Sequence, residues 1–337
     1  MNIRSIYVLA AAIAIVSCGG NSTTTLKGKF AADEIPSEVH ITVAGIDTVV
    51  TVADGTFTLK VPVSKGELGM VESDAGRLQF ISDGSELLVD YSGERPRVTS
   101  DNPKSLTRAF NAYVDKSVSL VNQVVGEDDA STRAYDSYMS LQKKTIAEHK
   151  NDFIGLYALQ NVYFDYTPEE LKKVISTLGP EIRDAEFVKI IAEAADARIN
   201  TAEGKMFTDF EVDGVKFSDY VGRGKYMLAV FWSSWCIPYR AEVPVLMDVY
   251  EKFHGDDFDI VGIAVWDEDI QASKDAVVDY ETPWDQIFGA ERIPTNIYGI
   301  QNIPHIILFA PDGTILKRDL RGDAIADEVS KVVPAKQ

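Results

Sequence analysis

Cys18 and Cys236, the two cysteines of this 337-residue sequence, are the side chains whose type and setting could do covalent chemistry. Two thiols exclude a disulfide framework, and no zinc site can be built from paired Cys ligands. Cys236 stands between a continuous apolar run, Tyr226 to Phe231, and a stretch of helical period from about Ala241 to His254. The run reads as a strand buried on both faces. A thiol just past it, at the N-terminus of the next helix, faces unpaired backbone N–H groups and the positive end of the helix dipole, which favour thiolate. The chemistry on offer is that of a sulfur nucleophile. His305 directly follows Pro304. Its ring would stabilise the thiolate if it reached Cys236, and would do nothing there from the opposite face of its strand. Side-chain alternation leaves both open. His40, His149 and His254 lie in unrelated segments, so no metal cluster emerges. Serine-hydrolase elbows, phosphate-binding Gly-rich loops and H-E-x-x-H are absent, and no cofactor is implied.

Composition sets the frame around that thiol. With 45% hydrophobic and 25% charged residues the chain is globular, and its length predicts two or three domains. Lys plus Arg number 33 against 52 Asp plus Glu, a formal charge of -19. That balance excludes nucleic acid as a partner, since phosphate binding needs clustered cations. Arg4 is the only charge before an apolar run from Ile6 to Val16, followed by Ser17, Cys18, Gly19 and Gly20. The run is too short to span about 30 Å of hydrocarbon, and the pattern is that of a secretory signal peptide. Cys18 at its end resembles the lipobox cysteine of bacterial lipoproteins, with Ile15 a departure from the usual Leu. The resemblance implies an exported bacterial lipoprotein on the periplasmic side of the inner or outer membrane. Residues 1–17 would be the signal peptide, Cys18 would carry the lipid anchor, and 18–25 would be a tether. Cys236 then sits alone in a compartment where disulfides persist.

Three segments follow. Residues 26–99 show two-residue alternation at Val39, Ile41 and Val43, and around the turns Asp54-Gly55 and Asp83-Gly84. The pattern predicts hairpins in an antiparallel β sandwich or barrel, a spacer or docking module. Residues 100–203 turn helical. Thr167-Pro168-Glu169-Glu170 predicts a capping box, and Leu171, Val174, Ile175 and Leu178 form one apolar face. Tyrosine-rich faces (Tyr113, then Tyr135 and Tyr138) predict packing against a neighbour. Residues 204–337 have a βαβ order, with Ile306–Phe309 and Thr314–Leu316 as a closing hairpin and a last helix near 324–333.

The stretch Phe231-Trp232-Ser233-Ser234-Trp235-Cys236-Ile237-Pro238-Tyr239-Arg240-Ala241-Glu242-Val243-Pro244 resembles the active site of thioredoxin-like proteins. The nearest subgroup resembles membrane-anchored thiol–disulfide oxidoreductases of the TlpA and ResA type, whose pattern is W-C-x-P-C-R-x-E-x-P. Tyr298-Gly299-Ile300 up to Ile303-Pro304 resembles that family's cis-proline loop. The resemblance covers residues 204–337 and implies a thioredoxin-like α/β domain. It implies that Cys236 attacks, Trp235 shields it, Pro238 shapes the first helical turn, and the backbone at Ile303-Pro304 holds an extended substrate beside the sulfur. Glu242 matches the buried acid that helps move protons to and from the thiols. The implied partners are envelope proteins or peptides bearing thiols or disulfides.

One departure is decisive. The resolving cysteine belongs three residues after the first, and Tyr239 stands there. A dithiol enzyme attacks with one thiolate and releases the mixed disulfide with the other. This chain can perform the first step alone, so an external thiol reductant or a substrate thiol must finish. Three readings stay open: a one-cysteine oxidoreductase or isomerase, an inactive thioredoxin-like module that binds peptides or ligands, and a peroxidase. The last lacks the Pro and Thr expected upstream, where Ala229 and Ser233 stand.

Overall fold

The computed structural model describes residues 23–43, 45–62, 66–124 and 128–336. Residues 1–17, Cys18 and most of the tether lie outside the described residues. The chain forms two compact units, one running to Asp165 with 177–184 added, the other comprising 166–176 and 185 onward. Among the described residues, no helix is long and apolar enough to cross a membrane.

In the first unit, eight strands form two open four-stranded sheets: β1 (Thr23–Lys29), β2 (Glu38–Val43), β3 (Ile46–Thr51), β4 (Thr56–Pro62), β5 (Glu67–Ser73), β6 (Gly76–Ser82), β7 (Glu86–Asp90) and β8 (Arg97–Thr99). The orders are β4-β1-β7-β8 and β3-β2-β5-β6. Alternating residues of both, among them Leu26, Val61, Val89, Ile41, Val71 and Phe80, share one core. Neither sheet closes into a barrel, and one pair, β1 and β7, runs parallel where the sequence predicts antiparallel pairing. The two Asp-Gly turns are corrected as well. Asp54 and Gly55 both have positive φ (50° and 72°), as a two-residue hairpin turn needs, but only Ala53 and Thr56 bridge across it. β3 and β4 then diverge into different sheets, as do β6 and β7 around Asp83-Gly84. Turn chemistry is local, whereas strand pairing is decided by distant partners.

The helices α1 (Leu106–Val121), α2 (Asp129–Glu148) and α3 (Phe153–Val162) belong to the same unit. They bury Phe110 and Tyr113 among themselves. The Tyr113 hydroxyl donates to Gln142 at 2.5 Å and accepts from Asn161 at 3.0 Å. Tyr135 is exposed, with its hydroxyl on Asp165. Helix α4 (Pro168–Thr177) carries the capping box: Glu170 N–H donates to Thr167 Oγ1 at 3.2 Å and Thr167 N–H to Glu170 at 3.0 Å. Helices α5 (Pro180–Arg183) and α6 (Glu186–Asn200) follow.

The second unit is built on a five-stranded sheet. A short hairpin, β9 (Glu211–Val212) and β10 (Val215–Lys216), precedes β11 (Tyr226–Trp232), α7 (Ile237–Phe253), β12 (Phe258–Ala264), α8 (Ile270–Asp279), β13 (Asp285–Ile287), α9 (Ile293–Tyr298), β14 (His305–Phe309), β15 (Ile315–Lys317) and α10 (Asp323–Ser330). The order is β13-β12-β11-β14-β15, with β11 parallel to β12 and antiparallel to β14. β11 is apolar throughout because both its faces are covered. Leu228, Val230 and Trp232 pack with α7 and α10, while Met227, Ala229 and Phe231 pack with Phe217 and Tyr298. Helix α7 starts four residues before the expected Ala241, since Ile237 and Pro238 face solvent and add nothing to the apolar period. At the end of α9, Gly299 (φ 62°) is required: a Cβ there would meet the Ala194 carbonyl of α6 at 2.3 Å.

Candidate functional site

At the carboxyl end of β11 the chain makes one turn before α7. Cys236 N–H donates to the Ser233 carbonyl at 3.1 Å, and the Cys236 carbonyl takes the first helical bond from Arg240 N–H at 3.2 Å. Cys236 is thus the N-cap of α7, at the positive end of its dipole. The free thiol is 5% exposed, and its Sγ–H donates to the Ile303 carbonyl at 3.4 Å. Ile303-Pro304 is a cis bond. The structure therefore brings Cys236, Ile303 and Pro304 together. The two residues flanking the thiol are the most exposed apolar groups nearby, Trp235 at 60% and Ile237 at 78%. The Trp235 indole N–H is pinned to the Trp266 carbonyl at 3.2 Å. Pro238 is exposed in the first turn of α7, and Pro244 sits inside that helix.

Tyr239 points inward. It is fully buried, stacked on Trp232 (centroids 4.7 Å apart) and set edge-on to Tyr280 at 6.1 Å. Among the described residues its hydroxyl has no hydrogen-bond partner, and burial pushes its acidity far out of the physiological range. It fills space with an aromatic ring and offers no acid, base or thiol. Glu242 lies half-buried, accepting from Gly322 N–H at 3.0 and 3.3 Å. This contact ties α7 to the loop that carries Arg321. Arg321 lies on the surface; desolvation lowers it from its ordinary value, while the charges of Glu242, Asp319 and Cys236 act on it in the opposite sense. Sequence reasoning missed Arg321, because nothing in a lone loop arginine signals a partner about eighty residues upstream.

His305 is not brought to the thiol. It pairs with Phe231 across the β11–β14 ladder and stands on that residue's face of the sheet, while Trp232 and Ile306 share the face of Cys236. Of the two placements that the sequence left open, the ring takes the face of the strand away from the thiol and from the groove side, and the alternation of strand side chains is the reason. Its Nδ1 lies 2.9 Å from Asp319 and its Nε2 accepts from Arg318 at 3.2 Å, an arrangement only the neutral ring can satisfy. Burial lowers His305 below 6.5. Burial works against the Asp319 carboxylate, but the His305 hydrogen bond and the Arg198 and Arg318 guanidiniums outweigh it and hold the acid below its usual range. Burial, then Arg198, brings Arg318 down to about 10. The sign of the pH dependence follows. The unfolded chain protonates His305 near pH 6.5 and the folded one resists, so stability is intact above that pH. It should fall by up to about 1.4 kcal/mol per pH unit below it. Denaturant unfolding at pH 7.5 and 5.5 checks this, and His305→Asn should flatten the slope. Among the described residues, no cluster of three or more His, Cys, Asp or Glu could hold a metal ion.

A thioredoxin-like family model matches residues 224–315. The thiol-disulfide oxidoreductase ResA of Bacillus thuringiensis subsp. konkukian is 26% identical over 126 residues, which is 37% of this chain and 69% of the relative. ResA of Bacillus subtilis is 26% identical over 146 residues, 43% of this chain and 77% of the relative. Among solved structures, the thioredoxin domain of a thiol-disulfide oxidoreductase from Bacteroides vulgatus is 30% identical. That match covers 40% of this chain and 97% of the other, with a TM-score of 0.34.

Proposed function

We propose that this chain, which belongs to the thioredoxin-like superfamily through its C-terminal domain, is a thiol–disulfide oxidoreductase working through one cysteine. The observation that carries the reading is Cys236 at the N-cap of α7, bonded to the carbonyl that precedes Pro304, with a buried tyrosine where a second thiol would sit. The Cys236 thiolate attacks one sulfur of a substrate disulfide, the S–S bond breaks, and the departing thiolate takes a proton. A mixed disulfide remains. A substrate thiol can attack it, which gives isomerisation with no net redox change. Alternatively an external thiol attacks the Cys236 sulfur, which releases the reduced substrate and leaves that thiol joined to Cys236; a second thiol then frees Cys236 and closes the external pair as a disulfide. The surface beside Ile303-Pro304, where Trp235 is exposed, would take an extended protein or peptide segment, as the family resemblance implies. We place the chain in the bacterial envelope as a lipoprotein anchored through Cys18, on the strength of the lipobox-like sequence.

The 5% exposure of Cys236 favours a second reading, an inactive thioredoxin-like module that binds peptides or ligands without turnover. One experiment separates the two. The chain is incubated with a peptide disulfide, and covalent adducts are mapped by mass spectrometry before and after addition of a small thiol. With a disulfide that joins two separate peptides, the departing thiol is lost to solution, and the oxidoreductase should accumulate an adduct on Cys236 that persists until thiol is added, because Tyr239 supplies no resolving thiol. Peptide bound with no adduct would establish the binding module.

A further inference from the structure

We infer that Asp267 is a positioning residue for Cys236, the anchor that holds the loop before the thiol in register with α7. Asp267 follows β12, 31 residues beyond the cysteine and outside the resembling motif. Its Oδ1 accepts from Ser233 Oγ at 2.8 Å, Ser234 Oγ at 2.7 Å and Ser234 N–H at 3.1 Å, and its Oδ2 accepts from Ser234 N–H at 3.3 Å. On the far side Oδ2 takes Ser273 Oγ of α8 at 2.6 Å, and both Ser233 and Ser273 are buried. The chain of contacts reaches the thiol residue directly, since the Ser233 carbonyl accepts from Cys236 N–H at 3.1 Å. Neighbouring residues reinforce the clamp: Val265 N–H donates to the Trp232 carbonyl at 2.8 Å, and the Trp266 carbonyl takes the Trp235 indole. Trp266 has φ 59°, a left-handed conformation rare for so large a residue. Residues 265–267 therefore grip each of 232–235 in turn.

Hydrogen bonds to a carboxylate are the stronger kind, and four donors on one group leave the loop little freedom. Without them Cys236 would no longer be held at the N-cap, where the helix dipole favours thiolate.

The inference rests on Cys236 being the reactive thiol, but its test does not require disulfide turnover. Alkylation of Cys236 by iodoacetamide is followed against pH in the full chain, together with amide hydrogen exchange over 233–236. Asp267→Ala should cut the thiolate fraction at neutral pH about two- to fivefold, the worth of the helix-terminus field. It should also speed exchange of the Ser234 and Cys236 amides. Asp267→Asn keeps one carbonyl oxygen for Ser233 and Ser234, so it should restore slow exchange, and its alkylation rate should equal or exceed that of the natural chain because a nearby anion is gone. An alanine variant with unmoved profile and exchange, or an asparagine variant as impaired as the alanine one, overturns the inference. If the thiol resists alkylation in every form, the exchange comparison decides by itself. A chain that passes this test yet forms no adduct with a peptide disulfide would refute the enzyme and keep the clamp.

Discussion

Tyr239→Cys should release a bound substrate at least about a hundredfold faster than the natural chain does with millimolar thiol. A resolving thiol held in the same helix acts at an effective molarity far above that of a solution reagent. The variant should also lose about 3 kcal/mol of stability. Tyr239 is fully buried between Trp232 and Tyr280, and a cysteine leaves most of its ring volume empty. No hydrogen bond is lost, because the hydroxyl has no partner among the described residues. The same fact gives the control. Tyr239→Phe removes a buried, unpaired hydroxyl while keeping the ring, so it should stabilise by about 1 kcal/mol and leave the persistence of the adduct unchanged. Mass-resolved decay of the mixed disulfide and denaturant unfolding read the two effects separately. A folded Tyr239→Cys variant whose adduct persists would show that position 239 no longer reaches the substrate sulfur. The site would then have diverged by more than one side chain.

What the sequence disclosed and withheld divides along physical lines. The continuous apolar run Tyr226–Phe231 disclosed a doubly buried strand, because burial on both faces leaves a one-dimensional trace. The Thr167–Glu170 capping box was legible because its two reciprocal bonds join residues three apart in sequence. Pairing was not legible: Asp54-Gly55 and Asp83-Gly84 are turns, yet each joins strands of different sheets. The orientation of His305 hung on parity, which only its register against Phe231 settles. Asp267 and Arg321 left no trace, since their partners lie tens of residues away. A carboxylate after a buried strand and an arginine before a helix are ordinary loop residues until the fold sets one on Ser233 and Ser234 and the other in the loop held by Glu242.

Glu242→Gln should raise the alkylation rate of Cys236 at neutral pH about three- to tenfold, and Arg321→Gln should lower it. Glu242 spends its carboxylate on Gly322 N–H, and a glutamine oxygen can keep that bond, so the loop should stay in place. What changes is charge. A carboxylate near a thiol opposes thiolate by charge alone and a guanidinium favours it, and Glu242 and Cys236 both act on Arg321. Removing the anion therefore acts in the thiolate's favour, and removing the cation acts against it. The role implied by the family resemblance, in which this acid ferries protons to and from thiols, predicts the reverse sign for steps that need a proton moved. Stopped-flow alkylation across pH 5–9, paired with the rate of adduct formation on a peptide disulfide, separates the two. If both rates rise in Glu242→Gln, the carboxylate is a charge and a clamp. If alkylation rises while adduct formation falls, it also moves the proton, because losing an anion cannot by itself slow attack by a thiolate that has become more abundant.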